Sequence, residues 1–451
     1  MEFKSINPYN NETVAKYTSE TDEALSKKLK KAETAFKSWR KVPLEERASL
    51  MAKAGSVLRE NVEEYAKMIT LEMGKPISES RAEVNKCATV CDYYAKNATA
   101  FLADEIIETD AQKSFVRHDP IGAVFAIMPW NFPFWQVFRF AAPTLTAGNV
   151  GLLKHAANVF GCAEQIESVF KKAGFPDGVF QNLIVHHDKS ETIISNDVVK
   201  AITLTGSERA GAAVAQLSGK YIKKSLLELG GNNAFIVWDD ADIDKAVATA
   251  VTARMLNCGQ SCIAAKRFIL MENIYDEFVL KFTSEVKKLK SGDPMEEDTK
   301  VGPLARKDLA DELQKQVKKS LEMGAELLLG GNQKGAYHEP TILGKVKPGM
   351  PAFDEETFGP LAAMIKVKTI EEAFQLSEQS NFGLGVSVCT TNIEKALKYV
   401  SEVSDGAYFI NELVKSDPRL PFGGEKRSGY GRELAKDGMM EFVNRKTVYV
   451  K

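Results

Sequence analysis

Three short stretches of this chain hold residue types that could carry out covalent catalysis. In Asn257-Cys258-Gly259-Gln260-Ser261-Cys262-Ile263-Ala264-Ala265, two cysteines lie among small residues, the second after Gly-Gln-Ser. In Leu227-Glu228-Leu229-Gly230-Gly231, a glutamate sits between apolar residues ahead of a glycine pair. A thiol and a carboxylate in these settings are a nucleophile and a base, the pair that thiol addition followed by hydrolysis requires. The third stretch, Met128-Pro129-Trp130-Asn131-Phe132-Pro133, places a side-chain amide between two prolines that fix its backbone. Each has a plainer reading on its own. A lone cysteine is more often a small buried hydrophobe, and Leu-Glu-Leu-Gly-Gly also reads as a strand end with a turn.

The elements around these stretches indicate how they are positioned. Apolar residues recur at helical spacing over 22–40, 44–73 and 78–103, so the first hundred residues read as helical cover after a short polar lead. The period then changes. Residues 114–117 and 121–128 read as strands joined by a turn at His118-Asp119-Pro120. From 122 to 229 short apolar strands (123–128, 151–154, 181–185, 201–205) alternate with helical segments, the pattern of a parallel sheet covered by helices. No G-x-G-x-x-G fingerprint lies here. Leu204-Thr205-Gly206-Ser207 instead ends a strand where a helix begins, so it is equally a pyrophosphate seat at a helix N-terminus or a plain serine cap. A second α/β alternation runs from 232 to about 426, with an alanine-rich helix over 242–256 leading into the Cys262 loop.

Composition excludes several classes of function. The 451-residue chain has room for two or three domains, and 44% hydrophobic with 27% charged residues is ordinary for a soluble protein. A net charge of -2 gives no reason to expect nucleic acid or an anionic membrane as partner. Its apolar runs are far shorter than the roughly 20 residues of a membrane span, and the start lacks a signal peptide's apolar core. Six cysteines are too sparse for a disulfide framework and fit a reducing cytoplasm. Cys87 and Cys91 have no second ligand pair, so no metal site is expected.

Together the three motifs resemble those of the aldehyde dehydrogenase superfamily, and the resemblance covers essentially the whole chain. It implies an α/β fold in three parts: a Rossmann-type NAD(P)-binding domain over 1–110 and 123–229, an α/β catalytic domain over 230–430, and a β arm for homo-oligomerisation over 111–122 and 440–451. It implies that a small aldehyde is oxidised to an acid with NADP+ or NAD+. Carried over by motif, Cys262 is the nucleophile, Asn131 with the Cys262 backbone N–H steadies the oxyanion, and Glu228 activates water against the thioester. Relatives that pass the acyl group to coenzyme A lack this glutamate. In Glu356-Thr357-Phe358-Gly359-Pro360, Glu356 matches the ligand of the nicotinamide ribose and Phe358 the residue packed on the ring. Trp130 joins the cofactor set, as do Thr205, Gly206 and Ser207 on the pyrophosphate reading of that strand end. Pro421-Phe422-Gly423-Gly424, running on to Gly431-Arg432-Glu433, matches the C-terminal signature of the family.

Two departures bear on specificity. Lys154 matches the lysine at the adenosine ribose, but Ala157 stands where an acidic residue is frequent, which removes a repulsion toward a 2'-phosphate and leans the cofactor toward NADP+. Lys154-His155-Ala156-Ala157-Asn158 resembles the short bacterial succinate-semialdehyde dehydrogenases. Arg139, eight residues after Asn131, matches the arginine that grips a distal carboxylate in such enzymes, with a structural ion pair as the alternative. The family's second arginine is absent. Leu256 stands at its place, and Arg254, two positions away, projects from a different face of the helix. Cys258 reads as a packing residue. The rival class is a cysteine hydrolase or thioesterase, which the absence of a histidine near either motif disfavours.

Overall fold

The computed structural model describes residues 2–451, so Met1, the first residue of the expected N-terminal part, lies outside the described residues. Two sheets organise the chain. The first has six strands in the order Gly429–Tyr430, Lys224–Glu228, Val199–Thr205, Ala123–Met128, Val150–His155, Phe180–Asn182. The last five run parallel, and Gly429–Tyr430 pairs antiparallel at the edge. From Ala123–Met128 the chain steps outward through Val150–His155 to Phe180–Asn182, then returns to the other side at Val199–Thr205. That reversal opens a crevice at the carboxyl ends of the two central strands, the place where such sheets bind ligands. Ala123–Met128 is buried almost throughout because helices cover both faces, which is why it reads as an unbroken apolar run.

The helical cover is stitched to the sheet by polar contacts. Trp39, at the end of Asp22–Trp39, donates its indole N–H to the Leu145 carbonyl at 3.0 Å. Glu72 accepts from the Gly161 and Cys162 N–H groups at 3.0 and 2.9 Å, satisfying free donors in the first turn of Phe160–Lys172. The long helix expected over 44–73 is two helices, Leu44–Glu60 and Val62–Met73. Asn61 breaks it: its side chain donates to the Val57 carbonyl at 2.7 Å and competes with the helical ladder. The polar lead is a hairpin, Glu2–Ile6 against Thr13–Thr18.

The second sheet has seven strands, in the order Glu326–Leu329, Thr341–Gly344, Leu361–Val367, Ala265–Met271, Asn233–Val237, Val386–Cys389, Tyr408–Ile410, all parallel except the first. Each large sheet has its own hydrophobic core. Phe422, Leu434, Met439 and Phe442 belong to the first core, so the chain crosses back after the second sheet is complete.

A three-stranded sheet, Glu105–Ile106, Lys113–Pro120 and Val443–Val450, stands apart and is largely exposed. Here the expected turn at His118-Asp119-Pro120 is corrected. Those residues continue the strand, paired with Val443, Asn444 and Arg445, and the bend falls at Ile121-Gly122. Local turn signals yield to an eight-residue ladder supplied by the far end of the chain, with Pro120 tolerated at the final pairing position.

Candidate active site

The helix Ile243–Met255 delivers the chain to a tight loop in which Asn257, Cys258 and Gly259 all have positive φ (54°, 53° and 73°). Two non-glycine residues in the left-handed region are strained and persist only where the surroundings hold them. The Asn257 N–H donates to Glu79 at 2.7 Å, and its side chain donates to the Asn131 carbonyl at 2.7 Å. Arg254 is fully buried and donates to the carbonyls of Ala265, Gly259 and Thr357 at 3.0, 2.9 and 3.2 Å. It is a strut of the loop and does not line the second cavity, whose wall has Leu256 instead. A Cβ on Gly259 would strike the Arg254 guanidinium and the Gly359 carbonyl, which explains the glycine in the motif.

Lys266, also fully buried, donates to the Ser261 and Cys262 carbonyls at 2.9 and 2.8 Å and lies 3.4 Å from Glu356. Cys262 is the one half-buried cysteine; the other five are buried. Burial pushes its thiol up to about 11, opposed by the nearby cations Lys266 and Arg139 and reinforced by Glu356 and Glu228. Cys258 is pushed up to about 12 by burial, and its sulfur accepts from the Gly302 N–H at 3.2 Å, which makes it a packing residue.

Cys262 opens onto two cavities. The first, of about 380 Å3, lies along the carboxyl edge of the first sheet. It gathers Trp130, Asn131, Thr205, Gly206, Ser207, Glu356 and Phe358 around the sulfur. Asn131 donates to the Gln260 carbonyl at 3.1 Å, leaving its second amide hydrogen free. Phe358 packs edge-on against Trp130, with ring centroids 5.7 Å apart. Glu356 accepts from the Gly231 N–H at 2.9 Å. Ser207 caps Glu208–Lys220 through the Ala210 N–H at 3.3 Å, so the plain cap is present within the cavity wall.

Lys154 and Ala157 do not line this cavity; they lie at the carboxyl end of the neighbouring strand Val150–His155. Ala157 is exposed, and the Lys154 ammonium has no hydrogen bond or ion pair among the described residues. Burial holds Lys154 below the usual lysine range. His155 between them is structural. Its Nε2 donates to the Pro133 carbonyl at 2.9 Å and its Nδ1 accepts from the Ala156 N–H at 3.0 Å, while burial pushes it down to about 4 and keeps it neutral. It ties the end of its strand to the loop that carries Asn131.

The second cavity, about 190 Å3, adjoins Cys262 and is walled by Phe132, Trp135, Arg139, Leu256 and Phe422, with Lys86 and Ser416 also lining it. Here the ion-pair alternative for Arg139 is present. Its Nε faces Glu433, both groups being almost fully buried, and its guanidinium lies 4.7 Å above the Phe422 ring. Nη2 makes a long contact of 3.4 Å to the Thr205 hydroxyl, and Nη1 has no hydrogen bond among the described residues. Paired backbone hydrogen bonds of 2.7 Å between Phe422 and Glu433 hold the two on either side of the arginine.

Glu228 ends its strand 2% exposed, lines neither cavity, and its Oε1 has no hydrogen-bond partner among the described residues. Burial holds its carboxyl well above the ordinary range; Arg139 opposes the shift and Glu433 adds to it. The carboxyl lies against Gly423, where a Cβ would come within 3.0 Å of Oε1, so the Phe-Gly-Gly motif makes room for it. Neither cavity is lined by a histidine. Lys266, Lys86, Ser416 and the Glu433 partner of Arg139 are residues that motif reading does not single out. Only Glu433 lay within a quoted motif.

Among the described residues no group of three or more His, Cys, Asp or Glu side chains is placed to hold a metal, and no helix is long and apolar enough to cross a membrane. The chain is 48% identical over 453 residues to a probable succinate-semialdehyde dehydrogenase [NADP(+)] of Synechocystis, covering all of both chains. It is 45% identical to a succinate semialdehyde dehydrogenase [NAD(P)+] of Escherichia coli over 99% of this chain and 97% of that protein. The crystal structure of succinic semialdehyde dehydrogenase from Streptococcus pyogenes in complex with NADP+ superposes with a TM-score of 0.97 at 38% identity, covering 99% of each chain. The model of the aldehyde dehydrogenase family matches residues 1–448, and with these relatives it places the chain in that family.

Proposed function

We propose that this chain oxidises succinate semialdehyde to succinate, accepting NADP+ at least as well as NAD+. The observation that carries this reading is that Cys262 borders both cavities: one along the ligand-binding edge of a parallel sheet, the other compact and lined by cations. Relatives named for this substrate and for NADP+ support it. The first cavity fits a dinucleotide, because it lies where strand order reverses, beside the N-terminus of Glu208–Lys220 and the Glu356 carboxylate. Glu356 would hold the nicotinamide ribose, Trp130 and Phe358 the ring, Thr205, Gly206 and Ser207 the pyrophosphate, and Lys154 with Ala157 the adenosine end. When bound, the cofactor supplies a hydride acceptor. On this reading 1–110 and 123–229 bind it, 230–430 carry the nucleophile, and the arm at 111–122 and 440–451 joins subunits of a homo-oligomer.

This chain's residues then act in order. The Cys262 thiol must lose its proton before adding to the aldehyde carbon, and Lys266 and Arg139 are the charges that favour the thiolate. The resulting alkoxide lies within reach of the free Asn131 amide hydrogen and the Cys262 N–H, each such donor being worth roughly 3 to 4 kcal/mol. Arg139 offers Nη1 to the distal carboxylate while Glu433 holds its other edge. After hydride departure the acyl group is a thioester on Cys262. Glu228, whose carboxyl burial holds well above the ordinary range, acts in its ionised form and takes the proton that the hydrolytic water loses.

The test is reduced-nicotinamide absorbance over a panel of ω-carboxy and neutral aldehydes with each cofactor. Succinate semialdehyde with NADP+ should give the highest kcat/KM. An equal kcat/KM for butanal removes the substrate assignment.

A further inference from the structure

The wall of the second cavity contains a cation that the mechanism above does not use. Glu79, Glu83 and Lys86 recur at helical spacing along Ile77–Phe101, so one stripe of that helix faces the cavity. Both carboxylates are engaged. Glu83 pairs with Lys75 and accepts from the Phe134 and Trp135 N–H groups at 2.9 and 3.0 Å; Glu79 accepts from the Asn257 N–H. Lys86 has no carboxylate in salt-bridge contact among the described residues. Its ammonium donates to the Ser416 hydroxyl at 2.8 Å and sits 4.2 Å over the Trp135 ring. The Trp135 indole N–H also donates to Ser416, at 3.1 Å, which fixes the hydroxyl between them. The neighbouring carboxylate, Asp417, is taken by Arg419 at 2.8 and 2.6 Å. The cavity's other cations are also matched: Lys415 by Glu412 at 2.6 Å, and Arg139 by Glu433.

We propose that Lys86, presented from the helix Ile77–Phe101, is a ligand of the aldehyde's distal carboxylate. This rests on the ω-carboxy-aldehyde reading above. Since the Arg139–Glu433 pair carries no net charge, an anion entering beside it needs another counter-ion, and Lys86 is the cation of this wall without one. An ammonium has three donors; Ser416 takes one and two remain for a carboxylate. The Trp135 face holds the head in place without neutralising it. Burial lowers Lys86 to about 8, and an anion bound beside it would offset that cost.

The experiment compares kcat and KM for succinate semialdehyde and butanal in the wild type, Lys86→Met, Lys86→Gln and Lys86→Arg, with NADP+ saturating. In Lys86→Met the ratio of kcat/KM for succinate semialdehyde to that for butanal should fall about tenfold or more, chiefly through KM. Lys86→Arg should recover most of it. Lys86→Gln, which keeps a donor for Ser416, should behave as Lys86→Met does and decides the matter should Lys86→Met fold poorly. A ratio within about twofold of wild type in a folded Met or Gln variant overturns the proposal. A wild type without preference for succinate semialdehyde over butanal overturns the substrate reading and this inference with it. A wild-type preference that survives in the Met and Gln variants overturns the role of Lys86 alone.

Discussion

Replacing Arg139 with methionine keeps most of its bulk and removes the charge that Glu433 faces. Both side chains are almost fully buried, at 2% and 4% solvent exposure, and Arg139 is the chief charge favouring ionised Glu433 and Glu228 against their burial. Removing one partner of such a pair costs about 3 to 5 kcal/mol, because the other is left as an uncompensated buried charge. Replacing both with apolar groups of similar volume is often close to neutral. Arg139→Met should therefore cost about 3 kcal/mol or more at pH 8, while Arg139→Met with Glu433→Leu should come within about 1 kcal/mol of wild type. The cost has a pH sign. With Arg139 gone, the folded Glu433 carboxyl rises further above its ordinary 4.5, so the fold retains a proton that the unfolded chain releases. Stability is then greatest below 4.5 and is lost as pH climbs, by at most about 1.4 kcal/mol per pH unit for one proton. The assay is urea unfolding by tryptophan fluorescence at fixed protein concentration, at pH 6 and pH 8, for the four members of the cycle. Single variants that each cost under about 1 kcal/mol, or costs that simply add, would refute a coupled buried pair.

Two further outcomes follow from the site. Cys262→Ala should abolish aldehyde oxidation while Cys258→Ala keeps most of it, since Cys258 is committed to the Gly302 N–H; equal losses in two folded variants would exclude Cys262 as the distinct nucleophile. Ala157→Glu should lower the ratio of kcat/KM with NADP+ to that with NAD+ at least about tenfold, because a carboxylate about 4 Å from a phosphate charge costs roughly 1 kcal/mol in water and about 4 near a protein surface. An unchanged ratio would move the 2'-phosphate away from residue 157.

The parts of the site legible in the sequence are those built from contiguous residues. The Cys262, Glu228 and Asn131 stretches each stand out by local composition, and short apolar runs such as Ala123–Met128 announce strands of a helix-covered sheet. What escapes is pairing between distant segments. Nothing around Arg139 says that Glu433 will meet its guanidinium, and a charged residue in an apolar helix reads the same whether its partner is a substrate or a glutamate. Lys86 is hidden for a related reason: helical spacing says that 79, 83 and 86 share a face, but only packing says that this face meets the Cys262 loop. The strand through His118-Asp119-Pro120 escapes because its ladder is completed by Val443–Val450 at the other end of the chain. Lys266 and Arg254 read as ordinary basic residues, yet burial turns them into donors that hold a loop with two strained residues.

The proposed reaction passes through a thioester formed at Cys262 and hydrolysed with the help of Glu228. Glu228→Gln, mixed with succinate semialdehyde and NADP+ in a stopped-flow instrument, measures this directly. Acylation and hydride transfer should proceed and deacylation should stall, giving a burst of about one reduced cofactor per active site followed by a slow phase. Mass spectrometry of the quenched protein should place a succinyl group on Cys262. A slow linear trace with no burst, or a burst with an unmodified Cys262, would contradict it.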